Sequence, residues 1–144
     1  MDDGADELDK HYAVNVRAMA LLCREFVCNF EAKTGGRIIN LTSGQSLHPM
    51  PNELAYAASK GAVEALTLSL SPALAARGIT INAVDPGGTD TGWMSEDLKK
   101  HLIARAPMGR IGLPEDAAKL VVFLASEEAQ WITGQIVHSR GAIP

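Results

Sequence analysis

Arg37-Ile38-Ile39-Asn40-Leu41-Thr42 and Ile79-Thr80-Ile81-Asn82-Ala83-Val84 decide the fold of this chain. Each is a short run of β-branched and apolar side chains, the pattern of a strand buried on both faces. After the first comes a loop with Gly44, Pro49 and Pro51, then a helical stretch from about Glu53 to Arg77 that stops at Gly78. A helix between two buried strands is the crossover that joins parallel neighbours in one sheet. Asp85-Pro86-Gly87-Gly88 closes the second run with the composition of a turn.

Working outward, Leu8, Tyr12, Met19, Cys23, Phe26 and Phe30 recur at helical spacing from about Ala5 to Lys33, and Gly35-Gly36 is expected to end that helix. Downstream, Ser95 to Arg105 reads as a helix with Ser95 as N-cap and Glu96 and Asp97 in its first turn. Pro114 opens another that continues to about Ala125, and after Gly134 the run Gln135 to His138 reads as a third strand. The order predicts an α/β protein, a Rossmann-like parallel sheet flanked by helices. Such sheets usually carry about five or more strands. Three therefore suggest an incomplete doubly wound fold lacking its N-terminal half, one domain over 1–144 without a second.

The composition narrows the function. Thirteen basic against seventeen acidic side chains leave a net charge of −4, which argues against nucleic-acid binding. Hydrophobic residues make up 47% and charged ones 21%, the balance of an ordinary folded protein. No apolar run approaches the roughly 20 residues that span a bilayer, and the acidic N-terminus is no secretory signal. A cytoplasmic protein without a membrane partner is expected. Cys23 and Cys28 point in different directions on a helix and cannot pair. No metal site is expected, since His11, His48, His101 and His138 lack companions at zinc-ligand spacing.

Chemistry concentrates at Tyr56-Ala57-Ala58-Ser59-Lys60, near the start of the long central helix. Residues four apart share a helix face, so the phenol and the ammonium can converge. An ammonium near a phenol favours the phenolate, as a tyrosine acting as acid or base near neutral pH requires. Ser43 stands just beyond the first strand, and ligands of open parallel sheets bind beyond the strands' carboxyl ends. A half-buried tyrosine beside a solvated lysine would explain the pair alone, but not the triple with Ser43.

At these residues the chain resembles the short-chain dehydrogenase/reductase family. Ala13-Val14-Asn15-Val16 is similar to its asparagine segment, Ile38 to Ser43 to its serine strand, and Tyr56 to Lys60 to its Tyr-x-x-x-Lys motif. Ile81 to Gly87 resembles the segment closing over a nicotinamide, and Arg110-Ile111-Gly112, Pro114-Glu115-Asp116 and Ile132-Thr133-Gly134-Gln135 are further landmarks. The resemblance implies an NAD(P)-dependent oxidoreductase that interconverts a carbonyl and an alcohol on a small molecule. Tyr56 would exchange a proton with the substrate oxygen, and Ser43 would orient and polarise that oxygen. Lys60 would bind the nicotinamide ribose and favour the phenolate, while Asn15 would hold a water linked to Lys60. Pro86, Gly87, Thr89 and Thr91 would line the nicotinamide end of NAD or NADP. For Asn15 a buried amide bonded to backbone is the plain alternative, and for Thr89 and Thr91 simple turn chemistry.

Three features depart from the family. Among the thirteen glycines no two are two positions apart, so the glycine-rich turn that cradles a pyrophosphate has no counterpart. Pro72 interrupts the central helix and would remove the bond to the Leu68 carbonyl. His138-Ser139-Arg140-Gly141 stands where the family often has an acidic residue before paired glycines. If the first strand lacks an inner neighbour, Ile38, Ile39 and Leu41 form an exposed edge, and the isolated chain is expected to be poorly soluble unless partnered. The central helix is apolar nearly all round (Val63, Leu66, Leu68, Leu70, Leu74), so its outer face is expected to be buried too, and the resemblance implies a homo-oligomer through the two long helices. The alternative to an enzyme is a non-catalytic remnant acting as an interaction module through those helices. The apolar loop Gly92-Trp93-Met94 hints at a hydrophobic or acyl-type substrate, but a bare lid against the core explains Trp93 equally well.

Overall fold

The computed structural model describes residues 4–142. The acidic Asp2 and Asp3 lie outside that range. Strands β1 (Gly36–Leu41), β2 (Ile79–Asp85) and β3 (Ile136–His138) form one parallel sheet in the order β1-β2-β3. The register runs from Gly36 opposite Ile79 to Leu41 opposite Val84, then from Ala83 opposite Ile136 to Asp85 opposite His138. The helices are α1 (Ala5–His11), α2 (Met19–Asn29), α3 (Leu54–Ala75), α4 (Glu96–Arg105) and α5 (Pro114–Ala125).

The two buried runs are strands because each face of the sheet has its own apolar layer. Ile38, Ile79 and Ile81 pack with Cys23 and Leu74 beneath α2 and α3. Val84 packs with Leu124 and Ala129 on the opposite face, with Ile39 and Leu120 against them. The buried asparagines of this core are paired, which offsets their desolvation, whereas Thr80 Oγ1 on β2 is buried without a hydrogen-bond partner among the described residues. Asn40 donates to Thr67 Oγ1 at 3.1 Å, and Thr67 donates to the Val63 carbonyl at 2.8 Å. Asn82, fully buried, donates to the Ile132 carbonyl and accepts from the Gln135 amide, tying β2 to the turn before β3.

Several expectations need correction. The first helical stretch is not one α-helix reaching Lys33. It passes through a π-helical turn over Tyr12–Ala18, and α2 ends at Asn29, where Phe30 turns extended. Gly35, at φ +90°, serves the turn into β1 rather than the helix end. Pro72 does not break α3, which runs on to Ala75. The Leu68 carbonyl that loses its backbone donor accepts the Ser71 hydroxyl instead, at 2.9 Å. The edge at β1 is open, but Ile38 is buried and Ile39 is packed against the second core, so only Leu41, 54% exposed, stands out from it. The outer face of α3 is uncovered in this chain, with Leu68 53% exposed.

Candidate active site

The carboxyl ends of β1 and β2 and the first turns of α3 bring the sequence-predicted residues to one end of the sheet. Lys60 is anchored there, its Nζ donating to the carbonyl of Leu41, the last residue of β1, at 2.9 Å. The same Nζ lies 5.7 Å from the centroid of the Tyr56 ring. Burial pushes the Lys60 ammonium below its ordinary range. The His11 ring also packs against Tyr56, with ring centroids 5.7 Å apart in a T-shaped arrangement at 72°.

Asn15 sits in the π-helical turn, and its Nδ2 donates to Ser59 Oγ at 2.9 Å; Ser59 in turn donates to the Tyr56 carbonyl at 2.8 Å. The asparagine is thus held by a side chain lying between the tyrosine and the lysine in sequence, not by backbone. A π turn widens the helix locally, and such turns concentrate at functional positions. Ser43 follows β1 in an extended conformation (φ −150°) and precedes a short 3-10 turn over Gly44–Ser46. Among the described residues no hydrogen bond joins Ser43 to Tyr56. Beside it, Gln45 Oε1 and His48 Nδ1 are buried without a hydrogen-bond partner.

Sequence reasoning missed Thr42. It is buried at the end of β1, and its hydroxyl lies 3.1 Å from Glu64 Oε1 and 3.3 Å from the Lys60 carbonyl, locking the strand end to α3 beneath the pair. Its place directly before Ser43 was the available signal.

The turn after β2 carries the remaining predicted residues. Gly87 adopts φ +65°, a region that favours glycine, and its amide donates to Asp85 Oδ1 at 2.9 Å. The Thr89 hydroxyl donates to the Pro86 carbonyl at 2.9 Å, the turn chemistry weighed from sequence, while Thr91 is exposed. Trp93 is not packed on the core. Its indole is 66% exposed and donates to the Thr89 carbonyl at 3.2 Å, while Met94 is buried. Lys99 of α4 holds Asp90 at 2.9 Å, and Arg110 grips Asp116 through two bonds of 2.6 and 2.9 Å at the start of α5. Those bonds and the Leu113 amide hold the Asp116 carboxyl down at about 2. Asp85, 1% exposed, is the buried charge of this end. Burial alone would raise its carboxyl, but donors at His138, Gly87 and Arg140 hold it below the usual carboxylate range.

Among the described residues no group of histidine, cysteine and carboxylate side chains could hold a metal ion, and no helix is long and apolar enough to cross a membrane. For a nicotinamide cofactor the residues fit at one end. Lys60 spends one of its three ammonium donors on Leu41, and the Pro86–Gly87 turn faces the same end of the sheet. Nothing among the described residues matches a glycine-rich pyrophosphate turn.

A three-layer Rossmann-like sheet with a Tyr-x-x-x-Lys helix at its carboxyl end defines a nucleotide-dependent oxidoreductase class. The chain belongs to the short-chain dehydrogenase/reductase family, matching the family model described as enoyl-(acyl carrier protein) reductase over residues 1–141. It is 58% identical to the uncharacterized oxidoreductase YjdA of Bacillus subtilis (strain 168), over 95% of this chain and 55% of that protein. It is 38% identical to the 3-oxoacyl-[acyl-carrier-protein] reductase FabG of Rickettsia felis, over 96% of this chain and 58% of that one. Among solved structures, the keto-reducing enzyme LugOII superposes with a TM-score of 0.88 at 40% identity, over 97% of this chain and 56% of that one. The landomycin C-6 ketoreductase LanV, solved with bound NADP and rabelomycin, superposes at 0.86 with 35% identity, over 97% and 54%. The chain therefore spans just over half the length of the relatives it matches.

Proposed function

We propose that this chain carries the proton-handling half of an NAD(P)-dependent oxidoreductase that interconverts a carbonyl and an alcohol. The observation that supports it best is the half-buried Lys60, its ammonium anchored on the last carbonyl of β1 beside the Tyr56 ring. Fixed in place there, Lys60 stands beside the phenol that gives up its proton and recovers it. In the reductive direction the Tyr56 hydroxyl protonates the substrate oxygen as the carbonyl carbon becomes tetrahedral. Ser43, two residues beyond the strand end, donates to that oxygen and stabilises the charge developing on it. Asn15, bonded to Ser59, braces the backbone of the Tyr56–Lys60 turn and would hold a water linked to Lys60. Pro86 and Gly87, with Thr89 and Thr91 behind them, and Lys60 would hold the nicotinamide end of NAD or NADP. When bound, that group supplies or accepts the hydride.

The substrate class is suggested by the loop after the Pro86–Gly87 turn. Trp93 presents an exposed indole there, bonded to the Thr89 carbonyl, which suits a ketone on an apolar or acyl scaffold. The similarity to FabG and to the angucycline-type ketoreductases supports the same class. Binding is tested by titrating the chain, joined to a glycine-rich strand–turn–helix segment of a family member, with NADH and NADPH while following tryptophan fluorescence. Saturable binding of at least one nucleotide is expected, weakened about tenfold by Lys60→Met. Absence of binding to either would favour the interaction-module reading.

A further inference from the structure

Two glycines and one arginine, far apart in sequence, occupy the same small volume beneath the candidate site. A Cβ on Gly44 would lie 2.0 Å from Arg140 Nη1, and one on Gly87 would lie 2.9 Å from Arg140 Cγ. Gly44 follows the predicted catalytic Ser43, and Gly87 forms the predicted nicotinamide turn. Both loops therefore give up a side chain to admit one guanidinium stem. The guanidinium ends on the buried Asp85, Nη1 donating to Oδ2 at 3.0 Å, and His138 Nδ1 reaches the same oxygen at 2.9 Å. The other carboxylate oxygen accepts the Gly87 amide, and the Asp85 carbonyl accepts the Ser139 amide at 2.7 Å.

We propose that Arg140, through its ion pair with Asp85, is a positioning residue that clamps the Ser43–Gly44 corner and the Pro86–Gly87 turn in one fixed relation. The clamp is internal to the protein, an ion pair between side chains 11% and 1% exposed. It acts by filling the space between two loops that come from different strands and share no direct hydrogen bond among the described residues. A charge-assisted bond to a carboxylate buried at the end of β2 is stronger than a neutral one and directional, so the stem is held in a single path past both glycines. The assignment rests on the oxidoreductase reading for its purpose, but not for its geometry.

Amide hydrogen exchange of the chain, read without nucleotide or substrate, tests it. The reporters are the Gly87 amide, bonded to Asp85, and the Leu47 and His48 amides, both bonded to the Gly44 carbonyl. Arg140→Met should speed exchange about tenfold at both places while leaving the β1–β2 ladder unchanged. Arg140→Lys, which keeps the charge, should restore most of the protection. Gly44→Ala leaves the ion-pairing residues intact, yet should loosen Gly87 from across the site, and it decides the matter alone should the Met variant not fold. Exchange within about twofold of the parent at either loop, equal effects of Met and Lys, or acceleration spread evenly over the sheet would each overturn the proposal. Failure here would leave nucleotide binding untouched, and failure to bind nucleotide would leave the exchange pattern standing.

Discussion

Asp85 concentrates the electrostatics of the sheet's carboxyl end in one residue. A carboxylate that is 1% exposed survives there only because three donors converge on it. Its folded-state carboxyl titrates below the ordinary range of about 4, so its contribution to stability is fully present above that value and is lost as pH falls through the lower folded one. Urea midpoints measured from neutral pH down to acid should hold steady and then fall below about pH 4. In Asp85→Asn the midpoint should start lower and the acid fall should be shallower; an unchanged acid limb would contradict the assignment. Asp85 reads from sequence only as part of a turn signal, because the partners that give it meaning lie more than fifty positions away in the chain. Tyr56 and Lys60 were legible because their relation is local: four positions on a helix suffice to place them together. Asn15 was found only by resemblance, since the π turn that presents it to Ser59 leaves no periodic trace in the apolar pattern.

At the scale of elements, α3 joins both strands and presents the site, so its integrity past Pro72 matters. Proline in a helix interior costs up to about 3 kcal/mol through a lost bond and a ring clash. Here the Ser71 hydroxyl covers the stranded Leu68 carbonyl, and Gly134 leaves room for it, since a Cβ there would come within 2.7 Å of Ser71 Oγ. Pro72→Ala should therefore stabilise the chain, but by only about 1 kcal/mol, read as a modest rise in thermal midpoint. A fall would show that the ring is packed to advantage. The sequence pattern located every strand to within a residue or so, because buried parallel strands are continuous apolar runs. It overran the first helical stretch, because Phe30 continues the helical spacing while its backbone turns extended to reach β1. Caps behaved as composition implies: Ser95 accepts the Leu98 amide at 3.2 Å, and Pro114 opens α5.

For the whole molecule, the sheet ends at β1 with an unpaired edge, and beside it an apolar groove of 330 Å³ runs under Val14, Leu22 and Phe26. An edge and a groove of this kind favour association with further polypeptide, as the apolar run of β1 implied before any coordinates. The long α3 adds an exposed Leu68 to the same tendency. Against this open side, the carboxyl end of the sheet is closely knit, with Thr42, Lys60, Asp85 and Arg140 joining β1, α3, β2 and the segment after β3. The proposed chemistry thus lies at the end where these bonds cross-brace the chain. The central claim is that Tyr56, beside the Lys60 cation, moves the proton in carbonyl reduction. Its most direct test is the turnover of an apolar ketone by the chain joined to a glycine-rich nucleotide-binding segment, followed by loss of reduced-nicotinamide absorbance. Tyr56→Phe should lower kcat by about a hundredfold or more with nucleotide affinity unchanged, whereas turnover within about twofold of the parent would contradict the account.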